Sequence, residues 1–251
     1  MKALTASLAL ACVIVTGAAR ADPSARPPSS FAVVFENCTE FAGLGKIASA
    51  RIEGRLPAGY VAASFGPGIS GIVARAARCE RVSVDGKPAE RATVSHIGIN
   101  LAPDGSADIS NYTLLYVTDS HRLAQQLRQF GLPAVEDPGI VYEVNPAVAG
   151  LEFFAQVQAE PGATYFLAGT VSDPPPGTFP FLANWWFSGS KGRVKMATAI
   201  PSFSAGGADV ALYTSRESWL GQLLGANRTT FSLLSVRGVF GHAVMTVTLE
   251  R

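Results

Sequence analysis

The residues from Tyr112 to Asn145, Y-T-L-L-Y-V-T-D-S-H-R-L-A-Q-Q-L-R-Q-F-G-L-P-A-V-E-D-P-G-I-V-Y-E-V-N, decide the fold. They read as strand, helix, Gly-Leu-Pro turn and strand. Leu123, Leu127 and Phe130 recur at helical spacing, Asp119 or Ser120 is placed to cap the first turn, and Gly131 with Pro133 supplies the stop. From Ile140 to Val144 the pattern is extended again.

Outward from this core, the chain alternates apolar with small or polar residues in many short runs. Phe31 to Glu36 is the first, followed by Tyr60 to Phe65, Ile69 to Ala76, Arg91 to Leu101, Leu151 to Gln158, Thr164 to Val171, Val194 to Ile200, Thr230 to Val236 and Val239 to Leu249. Asp85-Gly86 is a hairpin-type turn signal, lengthened by Lys87 and Pro88. A short helix is expected from Lys46 to Arg55, ended by Leu56-Pro57-Ala58-Gly59. Another is expected from Ser215 to Leu224, where Thr214 and Glu217 have capping-box spacing and Gly225 ends the run. Many strands and few helices predict a mainly β fold, an antiparallel barrel or sandwich with helices packed outside. The length suits one large β domain as well as two small ones, and the lack of a linker-like break favours a single domain over 31–251.

The amino terminus reads as a secretory signal peptide over 1–21. Lys2 precedes an apolar run from Ala3 to Gly17, and Ala19-Arg20-Ala21 is a small-residue cleavage pattern. Apolar residues continuing past Cys12 favour that reading over lipidation at Cys12. The proline- and serine-rich residues 22–30 form a leader. A secreted or periplasmic location follows, and no later apolar run is long enough for a membrane span. Removing the peptide leaves Cys38 and Cys79, expected to pair as one disulfide. It also removes Lys2 and Arg20, leaving 18 basic against 19 acidic residues, a net −1. With no basic cluster, the chain is not expected to bind nucleic acid.

The order of elements from Tyr112 to Asn145, with its G-x-P exit, resembles the acetoacetate decarboxylase-like superfamily. Ala50 to Tyr60, A-R-I-E-G-R-L-P-A-G-Y, is similar to the helix and L-P-x-G-[FY] entrance of those proteins, and Gly207 to Tyr213 with Leu220 to Gly225 is similar to their later strand and helix. The resemblance implies a closed antiparallel β-barrel around a hydrophobic cavity, with two or three helices outside. It also implies a Schiff-base lysine after the proline of the G-x-P turn, where this chain has Ala134. The expected partner is therefore a hydrophobic or carbonyl-containing small molecule, bound without amine catalysis and without a cofactor. Homo-oligomerisation stays open. The alternatives are acid/base chemistry on a carbonyl compound in the same cavity, of lyase, hydratase or cyclase type, and a lipocalin-like carrier or cell-envelope interaction protein.

A lysine forms a Schiff base only when its amine is deprotonated, which requires desolvation or a neighbouring cation. Lys87 and Lys191 lie in turns. Lys195 alternates with apolar residues and shares a face with Arg193, which fits either a perturbed amine or a solvated outer strand. Among the histidines, His121 falls in the first helical turn, whereas His96 shares its strand face with the small residues Ala92 and Gly98, which would leave space beside the ring. His242 has a similar setting, yet no spacing supports a metal site. Tyr112 and Tyr116 are expected on one strand face, and Glu143 between Tyr142 and Val144 is either a desolvated acid or a water-facing residue. His96, Tyr116 and Glu143 are thus the acid/base candidates, and Lys195 a further catalytic candidate. Tyr112, Trp185, Trp186 and His242 are the ligand-binding candidates. The segment S-D-P-P-P-G-T from Ser172 to Thr178, with the aromatic cluster after it, reads as a lid over a pocket or as a wide connection whose rings are core. No G-x-S-x-G elbow, Walker loop or H-E-x-x-H occurs, and no G-x-G-x-x-G leads from a strand into a helix.

Overall fold

Alternating apolar residues make strands only when neighbours supply hydrogen bonds, and here the pairing runs far beyond the short sequence patterns. The computed structural model describes residues 29–103, 108–148, 150–159 and 163–250. The proposed signal peptide lies outside the described residues. Strands β1 (Ser30–Ala48), β2 (Ile69–Val84), β3 (Glu90–Asn100), β4 (Ile109–Thr118), β9 (Phe179–Gly189), β10 (Gly192–Thr214) and β12 (Leu234–Glu250) follow one another in hydrogen-bonded order. Because β12 also pairs with β10, these seven strands close into a ring. All but one of its joins are antiparallel. The exception is the parallel pairing of β4 with β9, and the short β5 (Ala134–Glu136) is also parallel to β4.

Inside the ring lies the first core, which includes Phe31, Val33, Phe35, Trp185, Met196 and Val247. Helix α1 (His121–Gln129) closes one end of it. Ser120 Oγ accepts from the Leu123 amide as the N-cap, and the buried Leu123, Leu127 and Phe130 join the ring's core, with Phe130 edge-on to Phe31 at 4.7 Å. The opposite faces of β1 to β4 carry a second core. There Phe41, Ile72, Ile97 and Leu115 pack against β7 (Gly150–Ala159), β8 (Ala163–Val171), the end of β10 and α2 (Trp219–Leu224). β6 (Val141–Ala147) and β11 (Arg228–Thr230) extend this outer sheet.

Several expected elements change in extent. The helix expected over Lys46–Arg55 is a single 3-10 turn, Ser49–Arg51, because β1 stays paired with β2 as far as Ala48 opposite Ile69. Helix α2 starts four residues later than expected, with Ser218 as its cap. The Thr214 hydroxyl instead donates to the Thr164 carbonyl, and Glu217 bonds Ser215. Val194–Ile200 and Gly207–Tyr213 belong to one strand, β10, bent by a bulge between Ile200 and Phe203, which carries the chain from the ring into the outer sheet. The strand expected over Thr230–Val236 is broken where Phe231 turns in against Gly43. A Cβ at Gly43 would lie 2.3 Å from that ring.

Cys38 and Cys79 face each other on β1 and β2 and are disulfide-bonded. Immediately before Cys38, Asn37 takes a left-handed φ of 52°. The inward residues of β1 accordingly change phase, from Phe31, Val33 and Phe35 to Cys38 and Glu40. Partner strands shift with it, from Ala243 to Phe240 in β12 and from Val82 to Cys79 in β2.

Candidate functional site

The end of the ring away from α1 opens into a cavity of about 290 Å³. Its floor is formed by Glu40, Arg75, Trp185 and Thr198, and its rim by Leu44, Phe65, Ile109, Phe181, Ile200 and Leu234. Each comes from an inward position of a ring strand, apart from Phe65, which arrives on the connection before β2.

Most of the lining is apolar, so the ionic pair on the floor stands out. Arg75 donates from Nε to Oε2 of Glu40 at 2.9 Å, and its Nη2 lies 2.8 Å from the same oxygen. The side chains are 12% and 3% exposed. Neither of these two contacts involves Nη1. Two charges this far from water are tolerable only because they neutralise each other. Higher in the cavity, the Asn100 amide donates to Asn111 Oδ1 at 3.1 Å and to the Ser110 carbonyl at 3.2 Å. The Thr198 hydroxyl is buried without a hydrogen-bond partner among the described residues.

Register places Arg75, His96, Tyr116 and Ala134 in one row across β2, β3, β4 and β5. Residues paired across a sheet share a face, so all four project inward. Ala134, where the resemblance implies a lysine, is buried in the ring's core beside Tyr116 and does not line the cavity. His96 meets the Tyr116 ring edge-on at 4.0 Å and the Trp185 ring at 4.3 Å. The space left by the small neighbours of His96 is filled by that indole, since a Cβ on Gly98 would come within 2.7 Å of Trp185. Neither ring nitrogen of His96 has a hydrogen-bond partner among the described residues. Burial, and secondarily the Arg75 charge, hold its pKa well below the ordinary value, so the imidazole is neutral. Burial likewise raises the Tyr116 phenol. The two residues meet behind the cavity floor, screened by Trp185.

The remaining candidates are dispersed. Tyr112 does not share a face with Tyr116, because a bulge at Leu114 shifts the register between Ile97 and Gly98. It packs instead with Trp186 and Leu101 on the outer side, where burial raises its pKa. Trp186 lies beneath two cations, Arg193 at 4.0 Å and Lys195 at 4.9 Å, so Lys195 occupies the outer face of the ring. Glu143 is exposed on β6 and His242 on β12, both in contact with solvent rather than with the cavity. The proline-rich segment after Ser172 leads into β9, which contributes Phe181, Ala183 and Trp185 to the cavity wall. Of the expected site residues, Trp185 alone lines the cavity. Glu40 and Arg75 were not singled out by the sequence; their one signal is a charge inside an apolar strand pattern.

The lysines described lie away from the lining. Lys46 is exposed at the end of β1, Lys87 is in the β2–β3 turn, and Lys191 donates to the Gln129 carbonyl. Among the described residues no cluster of metal-ligating side chains occurs, and no helix is long and apolar enough to cross a membrane.

No protein-family model matches the sequence, and no curated protein matches it either. Solved structures do match in shape. The enduracididine biosynthesis enzyme MppR complexed with pyruvate superposes with a TM-score of 0.54 at 10% identity, over 90% of this chain and 91% of that one. An acetoacetate decarboxylase-like enzyme from Sphingomonas wittichii RW1 gives 0.53 at 12% identity, over 88% and 91%. Acetoacetate decarboxylase from Legionella pneumophila gives 0.53 at 12% identity, over 98% and 96%. The chain therefore has the acetoacetate decarboxylase-like fold, as its sequence resemblance implied, rather than a lipocalin-like one.

Proposed function

We propose that this chain is an exported protein that binds an uncharged, carbonyl-containing small molecule in the ring cavity and does not carry out Schiff-base decarboxylation. The observation that carries this reading is the Glu40–Arg75 pair on the floor of an apolar cavity whose lining, among the described residues, includes no lysine. An amine nucleophile must touch the bound carbonyl carbon, and Ala134 has none to offer. Pyruvate in MppR and acetoacetate in the decarboxylases' name are both keto acids, which supports the ketone part of the ligand here and not its charge. The Cys38–Cys79 disulfide supports export, since such bonds persist in oxidising compartments.

Charge selects within that class. A carboxylate entering the floor would place a second anion beside Glu40, and like charges about 4 Å apart repel by about 4 kcal/mol at an effective dielectric of about 20. That repulsion offsets the attraction to Arg75. A neutral carbonyl oxygen can accept from Arg75 Nη1 without the penalty. Acid/base catalysis by His96, Tyr116 and Glu143 has less support, because Glu143 faces solvent and the other two stand behind Trp185.

Titration of tryptophan fluorescence with 2-hexanone and with hexanoate at pH 8 tests this reading. The wild type should bind the ketone at least about tenfold more tightly, a difference of about 1.4 kcal/mol. Glu40→Gln frees the Arg75 charge and should invert the order. Tighter hexanoate binding by the wild type, or no binding of either molecule, would refute the proposal.

A further inference from the structure

The cavity does not end at its rim. Ile109, Phe181 and Ile200 line both the cavity and an open groove of about 450 Å³ on the outer surface, completed by Pro180, Leu182 and Pro201 among others. Asp108, which accepts from the Asn184 amide, is the one charged residue lining it among the described residues. The rim residues Phe65, Ile109 and Leu234 are 36%, 37% and 42% exposed, and Leu182 in the groove is 37% exposed. These are four of the nine large hydrophobic residues exposed among the described residues, gathered around one opening. A contiguous apolar surface of this kind calls for a ligand or partner, whereas scattered exposed residues do not.

The cavity itself falls at the small end of the range for ligand pockets, about 300–1,000 Å³, so it takes a polar head and a short stem. From there the apolar lining is continuous to the outside, through residues shared by both spaces. We infer that the ligand is a single-chain amphiphile, a long-chain ketone or a comparable neutral acyl compound, whose polar head rests on Glu40 and Arg75 and whose tail leaves over Ile109 and Phe181 to lie in the groove beside Leu182. The inference rests on the reading of the cavity as the ligand site and adds the chain length and the exit path. A tail is favoured over a protein partner as the occupant because the groove is an extension of the cavity.

A series of 2-alkanones from butanone to tetradecanone tests the path. Fully burying one methylene is worth about 0.8 kcal/mol, close to a fourfold gain in affinity, and the half-open groove should give about two- to fourfold per methylene. In the wild type this gain should continue well past hexanone. Leu182→Asp, a surface change, should flatten the series for the long ketones and leave butanone and hexanone affinities as they were. A wild-type series that stops improving at about hexanone would overturn the tail path while leaving the cavity reading intact. So would a Leu182→Asp variant with an unaltered series. If Leu182→Asp instead dissolves a dimer seen by sedimentation velocity and leaves the chain-length series untouched, the groove is a contact between copies of the chain and the inference falls. Failure of every ketone to bind would remove the cavity reading itself.

Discussion

Glu40→Ala should lower the unfolding free energy by about 3–5 kcal/mol, because it leaves the Arg75 guanidinium buried without a counter-ion. Arg75 has little water to turn to, with its side chain 12% exposed and both of its bonds to Glu40 ending on one oxygen. For a domain of this size each kcal/mol corresponds to about 2–4 °C, so the midpoint should drop by about 6–20 °C. Arg75→Ala should cost a similar amount by stranding Glu40. The double variant Glu40→Leu/Arg75→Met should recover most of the loss, since replacing both charges with well-packed apolar groups removes the desolvation cost along with the attraction. Urea unfolding of the four proteins would measure this. A loss below about 1 kcal/mol in the single variants would mean that the pair is solvated, and the charge-based selectivity proposed for the cavity would go with it.

Removing the disulfide is expected to cost about as much. Cys38 and Cys79 are 41 residues apart, and closing a loop of that length in the unfolded chain corresponds to about 4 kcal/mol in the chain-entropy account. The bond also fixes β1 to β2 where their inward faces change phase. A Cys38→Ala/Cys79→Ala variant should lose about 4 kcal/mol of stability in urea, with dithiothreitol leaving it unaffected and bringing the wild type to the same level. An indifferent wild type would show that the cross-link adds nothing to stability.

What the sequence made legible was local or periodic. Helix α1 follows from Leu123, Leu127 and Phe130 and from its Ser120 cap, contacts within one turn of each other, and the Asp85-Gly86 turn follows from two residues that accept positive φ, 51° and 69°. The paired cysteines needed only counting. Features set by distant pairing were hidden. The left-handed Asn37 breaks the alternation of β1, so a pattern read with strict period two ends at Glu36 although the strand continues to Ala48. A bulge at Leu114 puts Tyr112 and Tyr116 on opposite faces, against the expectation from their spacing. The site was least legible. Glu40 and Arg75 meet across two strands at a sequence separation of 35, and no local spacing announces such a pair. His96 was singled out for the room beside it, but the residue that fills that room, Trp185, comes from a strand 89 positions later.

The proposal that ties these features together is a cavity of the acetoacetate decarboxylase-like fold that holds a carbonyl compound without bonding to it. Its most direct test is the intact mass of the protein after borohydride reduction in the presence of acetoacetate or of 2-hexanone, each at a concentration that saturates the tryptophan signal or, for acetoacetate, at the same concentration. An unchanged mass in both samples is the predicted result. A reduced adduct on any lysine, with Lys46 and Lys195 the first to be checked by peptide mapping, would contradict it.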